Sequence, residues 1–378
     1  MQRHALSPEQ RKVLRNILTC RTAALGGHLD VCDGCGYQQP SYNSCRDRHC
    51  PKCQSLAQAK WIAERKERLL PTKYFHIVFT LPEELRPVAL AHRELVFNLL
   101  FEAASATLLA FGRNKRLGVQ LGITAVLHTW TRTLAFHPHL HCIVTAGGLT
   151  EDGERWVEAS DKYLFSVKAL SKVFRGKFLD GLARASARGE LDLGGEEGLA
   201  QLRERVYRKA WVVYAKAPFG GPKHLVDYLG RYTHRVGISN HRLLSLTEQG
   251  VHFATKQGKT ITLSTDEFLR RFVSHVLPRG FVKIRHYGLF AAGNVSTRLA
   301  KARRLLDAAQ AVDPVPTAVP ASEADNAASP PEVRDQMLAL TGLDIALCPR
   351  CHAPLRRAPL PRPSFGQDAR TPSAFDTS

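Results

Sequence analysis

Phe136-His137-Pro138-His139-Leu140-His141-Cys142-Ile143-Val144 places three histidines at every second position, in a run that turns apolar and β-branched. On an extended strand alternate side chains share one face. His137, His139 and His141 therefore point the same way, while Leu140 turns into packing. Neutral imidazole is the commonest metal ligand, and two from one strand face make half of a site. Scattered surface histidines have no reason to keep strict alternation beside a hydrophobic strand.

Working outward, residues 123–128 form a second strand before the histidine strand, which ends at Ala146-Gly147-Gly148. Trp156-Val157 returns as an antiparallel partner after the turn at Glu151-Asp152-Gly153. Aromatic and β-branched content makes strands of 74–81 and 211–216. Helical patterns cover 54–70, 83–111, 166–187 and 196–209. Residues 242–264 read as three short strands, 266–276 as a helix, and 296–311 as a basic helix. Helices and hairpin-like strand pairs mixed in this way predict an α+β fold, an antiparallel sheet flanked by helices.

At the N-terminus, Ser7-Pro8-Glu9-Gln10 opens a helix running to about Cys20, with Ser as N-cap and Pro at the first helical position. Cys32-Asp33-Gly34-Cys35 and Cys50-Pro51-Lys52-Cys53 follow, two Cys-x-x-Cys knuckles whose spacing suits a four-cysteine zinc ribbon. That pattern assigns structural Zn²⁺ to Cys32, Cys35, Cys50 and Cys53. Cys20, His28, Cys45 and His49 lie nearby; Cys20 reads as simply buried, and the others leave open a second ion or plain burial. Cys348-Pro349-Arg350-Cys351 is one more knuckle, a weak metal signal unless it borrows His352 or another element. The expected organisation is a helix and zinc-binding domain at 1–70, a catalytic domain at 71–312, and a linker and flexible C-terminal tail at 313–378. The linker rests on the Pro, Ala, Ser and acidic content of 313–331.

The chain carries 53 Lys and Arg against 34 Asp and Glu, a formal net charge of +19 over 378 residues. An excess this large and this spread out favours a polyanionic partner, nucleic acid first. No run of eighteen apolar residues suggests a membrane span, and the first residues lack the apolar core of a signal peptide. The expectation is a cytoplasmic protein with no membrane partner, whose nine cysteines stay reduced.

A second constellation lies in Lys223-His224-Leu225-Val226-Asp227-Tyr228-Leu229-Gly230-Arg231-Tyr232-Thr233-His234-Arg235. Read as a helix, it brings Tyr228 and Tyr232 to one face, four residues apart. A tyrosine pair at that spacing is usually core. Here Arg231, Arg235 and their basic neighbours give the segment the character of a phosphate-facing surface. Basic residues interleaved with aromatics recur at 278–288, including Arg285, a composition suited to stacking on bases and touching phosphates. Histidine-held metal, tyrosine hydroxyl and basic surface fit one chemistry, attack of tyrosine on a DNA phosphodiester beside a divalent ion.

His139-Leu140-His141 resembles the His-hydrophobic-His motif of HUH endonucleases, and 228–235 resembles their two-tyrosine motif. Histidines precede tyrosines, the order of replication initiators and transposases. More narrowly, 21–28, the cysteine knuckles, 137–141, the tyrosine block with Ile238-Ser239-Asn240, and 277–288 resemble transposases of the insertion sequence 91 family, in the right order over about residues 5–290.

That resemblance implies an HUH-like fold and rolling-circle transposition through a 5′-phosphotyrosine. Tyr228 and Tyr232 would be the nucleophiles, and His139 and His141 would bind Mg²⁺ or Mn²⁺. The third ligand is left open between His137, nearest by strand geometry, and Asp227 or His224. The cysteine domain would recognise element ends. The implied partner is single-stranded DNA at element ends and target, near the bacterial nucleoid. A host helicase would unwind the donor, since no P-loop is present. Competing readings are a rolling-circle replication initiator, a non-catalytic zinc-ribbon DNA-binding protein, and a zinc hydrolase on the three histidines.

Overall fold

The computed structural model describes residues 6–160, 164–216, 237–312 and 333–360. The expected helix at 223–235, with Tyr228, Tyr232, Arg231 and Arg235, lies outside the described residues, as does the expected linker at 313–331. The chain forms two compact units: Met1–Leu56 with Glu323–Ser378, and Ala57–Ser322.

The first unit opens with α1, Pro8–Thr19, closed at its start by a capping box. Gln10 N–H donates to Ser7 Oγ at 3.2 Å, and Ser7 N–H donates to Gln10 Oε1 at 2.9 Å. These bonds satisfy two donors that a helix start otherwise leaves orphaned. β1, Gly27–Val31, and β2, Gln38–Tyr42, pair antiparallel. Helix α2, Ser55–Arg68, follows, and from Ala57 on it belongs to the second unit.

The second unit is built on β3 (Tyr74–Thr80), α3 (Arg86–Ala91), α4 (Arg93–Gly112), β4 (Val119–Trp130), β5 (Phe136–Thr150) and β6 (Trp156–Glu158). Next come α5 (Val167–Ala187), α6 (Gly195–Tyr207), β7 (Val213–Lys216), the meander β8 (Leu243–Thr247), β9 (Gly250–Ala254) and β10 (Thr260–Leu263), α7 (Thr265–Val273), β11 (Ile284–Gly288) and α8 (Ala300–Val312). The main sheet is antiparallel, in the order β11-β4-β5-β3-β7, with β6 also on β5. The histidine strand is thus its centre. The α+β class and flanking helices expected from the sequence are what the chain adopts.

One face of this sheet makes the core. Phe75, Ile77 and Phe79 of β3, Leu140, Cys142 and Val144 of β5, and Ile123, Ala125 and Leu127 of β4 pack there with α4 and α5. Every second residue of each strand is used, as the pleat requires. Among the described residues α4 is the one helix long and apolar enough to cross a membrane. It is apolar on all sides because sheet and α5 cover most of it here. Phe97, Leu100, Phe101 and Leu108 are its largest fully buried side chains, each stabilising by about 2 kcal/mol. The single helix expected over 83–111 is broken at His92, whose backbone leaves the helical region (φ −121°, ψ 56°).

The last described segment belongs to the first unit. It holds α9, Val333–Thr341, and β12, Arg356–Leu360, which pairs antiparallel with β1. In the sheet order β12-β1-β2, residues 356–360 of the expected C-terminal segment form a strand, and the knuckle before them, expected to stand alone, gains partners. A strand from the far end of the chain covers what would otherwise be an open edge of β1.

Candidate metal centre and cysteine clusters

The other face of the main sheet carries the histidines. In the β4–β5 register His128 lies directly opposite His139, and Val126 opposite His141. On the other side Val78 lies opposite His141, and His76 opposite Ile143. Directly opposed residues share a face, so His76, His128, His139 and His141 project together. Ring centroids are 5.4 Å apart for His128 and His139, 4.4 Å for His128 and His141, and 4.9 Å for His139 and His141. One ring nitrogen from each of these three lies within 4.8 Å of the other two. His128 is buried; His139 and His141 are half-buried and leave the triangle reachable from their side.

The rings of His139 and His141 have their second nitrogen engaged. His139 Nδ1 donates to the His137 carbonyl at 2.7 Å. His141 Nδ1 and His76 Nε2 are 2.8 Å apart, with the rings stacked at 3°. A proton on each Nδ1 leaves Nε2 with a free lone pair, which is how a neighbouring acceptor orients a ligating histidine. Trp130 stacks on His128 at 4.6 Å and holds that ring. Burial, then the charges of neighbouring histidines, pushes His141 down to about 2. Burial first also takes His139 down to about 4, helped by the charges of His137 and His76. His76, buried and near Lys216, is likewise lowered to about 4. His139 and His141 are therefore uncharged at neutral pH, with no proton competing for their lone pairs.

His137, the candidate third ligand nearest by strand geometry, does not join the triangle; Asp227 and His224, the other candidates, lie outside the described residues. The His137 ring lies beside His139 (5.4 Å). It is four positions from His141 along β5, however, about 13 Å of strand, too far for one small ion. The cross-strand neighbour of His139 is closer than the next residue of the same face. Hence β4, not β5, supplies the third nitrogen. Nδ1 of His137 is buried and makes no hydrogen bond among the described residues. A bulge after His128 and the five-residue turn beyond it fix this register. His275 pins that turn, bonding Thr129 Oγ1 at 3.2 Å and the Leu134 carbonyl at 3.0 Å.

Arg285 was expected to face DNA. Its guanidinium lies over the rings of Phe101 (4.2 Å) and Phe281 (5.1 Å) and donates to Asn98 Oδ1 at 2.6 Å. The side chain is half-buried, so these contacts orient the guanidinium while part of it stays exposed.

The cysteines do not form one four-cysteine site. Their sulfurs divide into two groups, each within 4.8 Å: Cys20, Cys45, Cys50 and Cys53, and Cys32, Cys35, Cys348 and Cys351. In the first group Cys45 and Cys53 Sγ are 3.7 Å apart, and Cys45 N–H points to Cys20 Sγ at 3.5 Å. Cys20, expected to be merely buried, sits at the end of α1 and joins that helix to the loop. Asn16 does the same, donating to Asp47 at 2.8 Å. His49 is bonded to Asp47 (2.9 Å) and His28 lies by Asp30 (3.4 Å), so neither joins a cluster. The first group fits Zn²⁺ by its donor set, four thiols closing a tetrahedral site.

Comparison with known proteins places this architecture. Residues 122–298 match a family described as "Putative transposase", and residues 1–81 match a transposase zinc-binding domain. The chain is 45% identical over 367 residues to "Putative transposase y4qJ" of Sinorhizobium fredii, covering 93% of this chain and 89% of that one. It is 30% identical over 303 residues to the transposase for insertion sequence element IS801 of Pseudomonas savastanoi pv. phaseolicola, covering 74% and 70%. A copper-bound conjugative relaxase, TrwC, in complex with oriT DNA matches with a TM-score of 0.24 and 14% identity, over 41% of this chain and 68% of the other. The protein is a zinc-binding-domain transposase, and DNA is what it acts on. It belongs to the insertion sequence 91 family.

Proposed function

We propose that this transposase is an HUH-type single-strand nuclease and strand transferase, working by rolling-circle transposition through tyrosine. The observation that carries the reading is the triangle of His128, His139 and His141, with the second nitrogens of His139 and His141 engaged, on the face of an antiparallel sheet opposite its larger core. These residues would hold a divalent cation. Three imidazoles with no carboxylate in the group suit Mn²⁺ or a later first-row metal better than Mg²⁺, which prefers oxygen. Such an ion, when bound, offsets charge at the scissile phosphate.

The chain's own residues do the rest. The Tyr228 or Tyr232 phenol forms an O–P bond to the 5′ side of the break. The P–O3′ bond breaks, and the phenolic proton leaves to solvent while the 3′ oxygen ends as a hydroxyl. One ester replaces another, so energy is conserved for rejoining. The second phenol takes the next end. Arg231 and Arg235 hold the phosphate backbone, and single-stranded DNA reaches the site after a host helicase has unwound it. His76 keeps the His141 tautomer fixed.

The test is incubation of the protein with single-stranded DNA from its element's ends and Mn²⁺. The expected result is a covalent protein–DNA adduct that disappears in the double variant Tyr228→Phe, Tyr232→Phe. A double variant that still forms the adduct would overturn the tyrosine assignment.

A further inference from the structure

The second cysteine group shares nothing with the histidine site, and half of it lies outside the segment that matches the zinc-binding domain. Antiparallel pairing of β12 with β1 explains how it assembles. Val31 lies opposite Arg356. The residues just after β1 and those just before β12 therefore leave the sheet at the same end. Those residues are the two knuckles, Cys32 to Cys35 and Cys348 to Cys351.

The knuckles are the same turn made twice. Cys32 N–H donates to the Tyr37 carbonyl at 2.9 Å, and Cys348 N–H to the Ala353 carbonyl at 2.8 Å, five residues on in each case. Gly36 N–H donates back to the Cys32 carbonyl and His352 N–H to the Cys348 carbonyl, both at 2.9 Å. The residue after the second cysteine is left-handed in both, Gly36 at φ 71° and His352 at φ 59°. Glycine adopts that region freely; histidine does so at a cost. Something must hold His352 there. Arg350 N–H also points to Cys348 Sγ at 3.4 Å, the backbone bond that a thiolate accepts.

Facing each other, the knuckles set Cys32 Sγ 3.4 Å from Cys351 Sγ, and Cys35 Sγ 3.6 Å from Cys348 Sγ. Thiolates around a tetrahedral zinc at about 2.3 Å stand about 3.8 Å apart. A disulfide would need about 2.05 Å. Gly34 lies against the cluster: a Cβ there would meet Cys32 and Cys351 Sγ at 3.8 and 4.0 Å. Arg356 by Asp33 (3.3 Å) and Arg357 by Asp30 (3.1 Å) tie β12 to β1 beside it.

We propose that Cys32, Cys35, Cys348 and Cys351 form a second structural zinc site, a ribbon whose two knuckles come from opposite ends of the chain. The first unit is then a two-zinc module, and the C-terminal segment is a required part of it. This holds whether or not the phenols attack DNA.

Metal analysis of the full chain tests it. Wild type should retain two zinc ions per chain. Cys348→Ser with Cys351→Ser should retain one, as should Cys50→Ser with Cys53→Ser. Cys351→His, which keeps four ligands, should restore the second ion and guards against a variant that merely misfolds. Replacing zinc by cobalt should give tetrathiolate absorption of two sites in wild type and one in either serine pair. A specific protease site inserted between residues 322 and 333 supplies a second measurement. After cleavage the C-terminal fragment should co-elute with the remainder and separate on chelation. Two ions retained without Cys348 and Cys351, a disulfide at these positions in freshly purified reduced protein, or a fragment that leaves with zinc still present would each overturn the proposal.

Discussion

Replacing His128 by alanine removes one corner of the imidazole triangle, while the same change at His137 removes a ring beside it. We expect His128→Ala to weaken Mn²⁺ binding by about 100-fold and His137→Ala to leave it within about threefold, measured by titration calorimetry. His76→Phe keeps the stacking on His141 but takes away its acceptor, and should weaken binding about tenfold. Acidity acts on the same residues. His139 and His141 titrate at about 4 and about 2 in the folded protein against an ordinary 6.5. Below about pH 6.5 the unfolded chain binds protons that the folded one refuses. Stability therefore falls as pH drops from about 6.5 towards 4 and is insensitive to these groups above 6.5. Denaturant melts of metal-free protein at pH 7 and pH 5 should show a lower midpoint at pH 5, and the gap should shrink in His139→Gln with His141→Gln. At this scale the sequence was half legible. Alternation along one strand names His139 and His141 from local pattern alone. His128 needs the pairing of two strands across the turn at 131–135 and the bulge between His128 and Trp130, which shifts the register so that His128 faces His139 and not Pro138. That signal is in the sequence only once both the turn and the bulge are known.

Among the elements, β5 sets the geometry because both its neighbours lock to it. Gly148 shows how tightly. A Cβ there would fall 2.3 Å from the Gln120 carbonyl oxygen of β4, backbone that cannot turn aside. Gly148→Ala should separate the strands locally and destabilise the second unit by about 1–3 kcal/mol, read as a lowered melting temperature. Helix α1, the strand at 74–80 and the meander at 243–263 were legible from caps, aromatic runs and turns. Each depends on neighbours close in sequence. Arg285 shows where composition stops deciding. A basic residue among aromatics suits a nucleic-acid surface and suits equally a guanidinium laid over Phe101 and Phe281. Composition does not separate the two; tertiary packing does.

For the whole molecule, the charge excess of +19 is the property that reaches furthest. If about five phosphates are neutralised on single-stranded DNA, affinity should fall about 100-fold between 50 and 200 mM salt, measured by fluorescence anisotropy with an oligonucleotide. A salt-independent affinity would remove charge as the source of binding. The cysteine partition was the least legible feature of the chain. Two Cys-x-x-Cys knuckles fifteen residues apart invite a single site, and nothing local says that the partner of the first is near residue 350.

The pairing of β1 with β12 also fixes an order of birth. Cys32 and Cys351 are separated by 319 positions. At about 5–20 residues per second, the ribosome holds the first hairpin for about 15–60 s before its third strand exists. During that wait β1 has a bare edge, and chains interrupted before the last strand keep it bare for good. Only a finished polypeptide can complete its own beginning, so prematurely terminated copies should be marked for proteolysis by the very segment that translation made first.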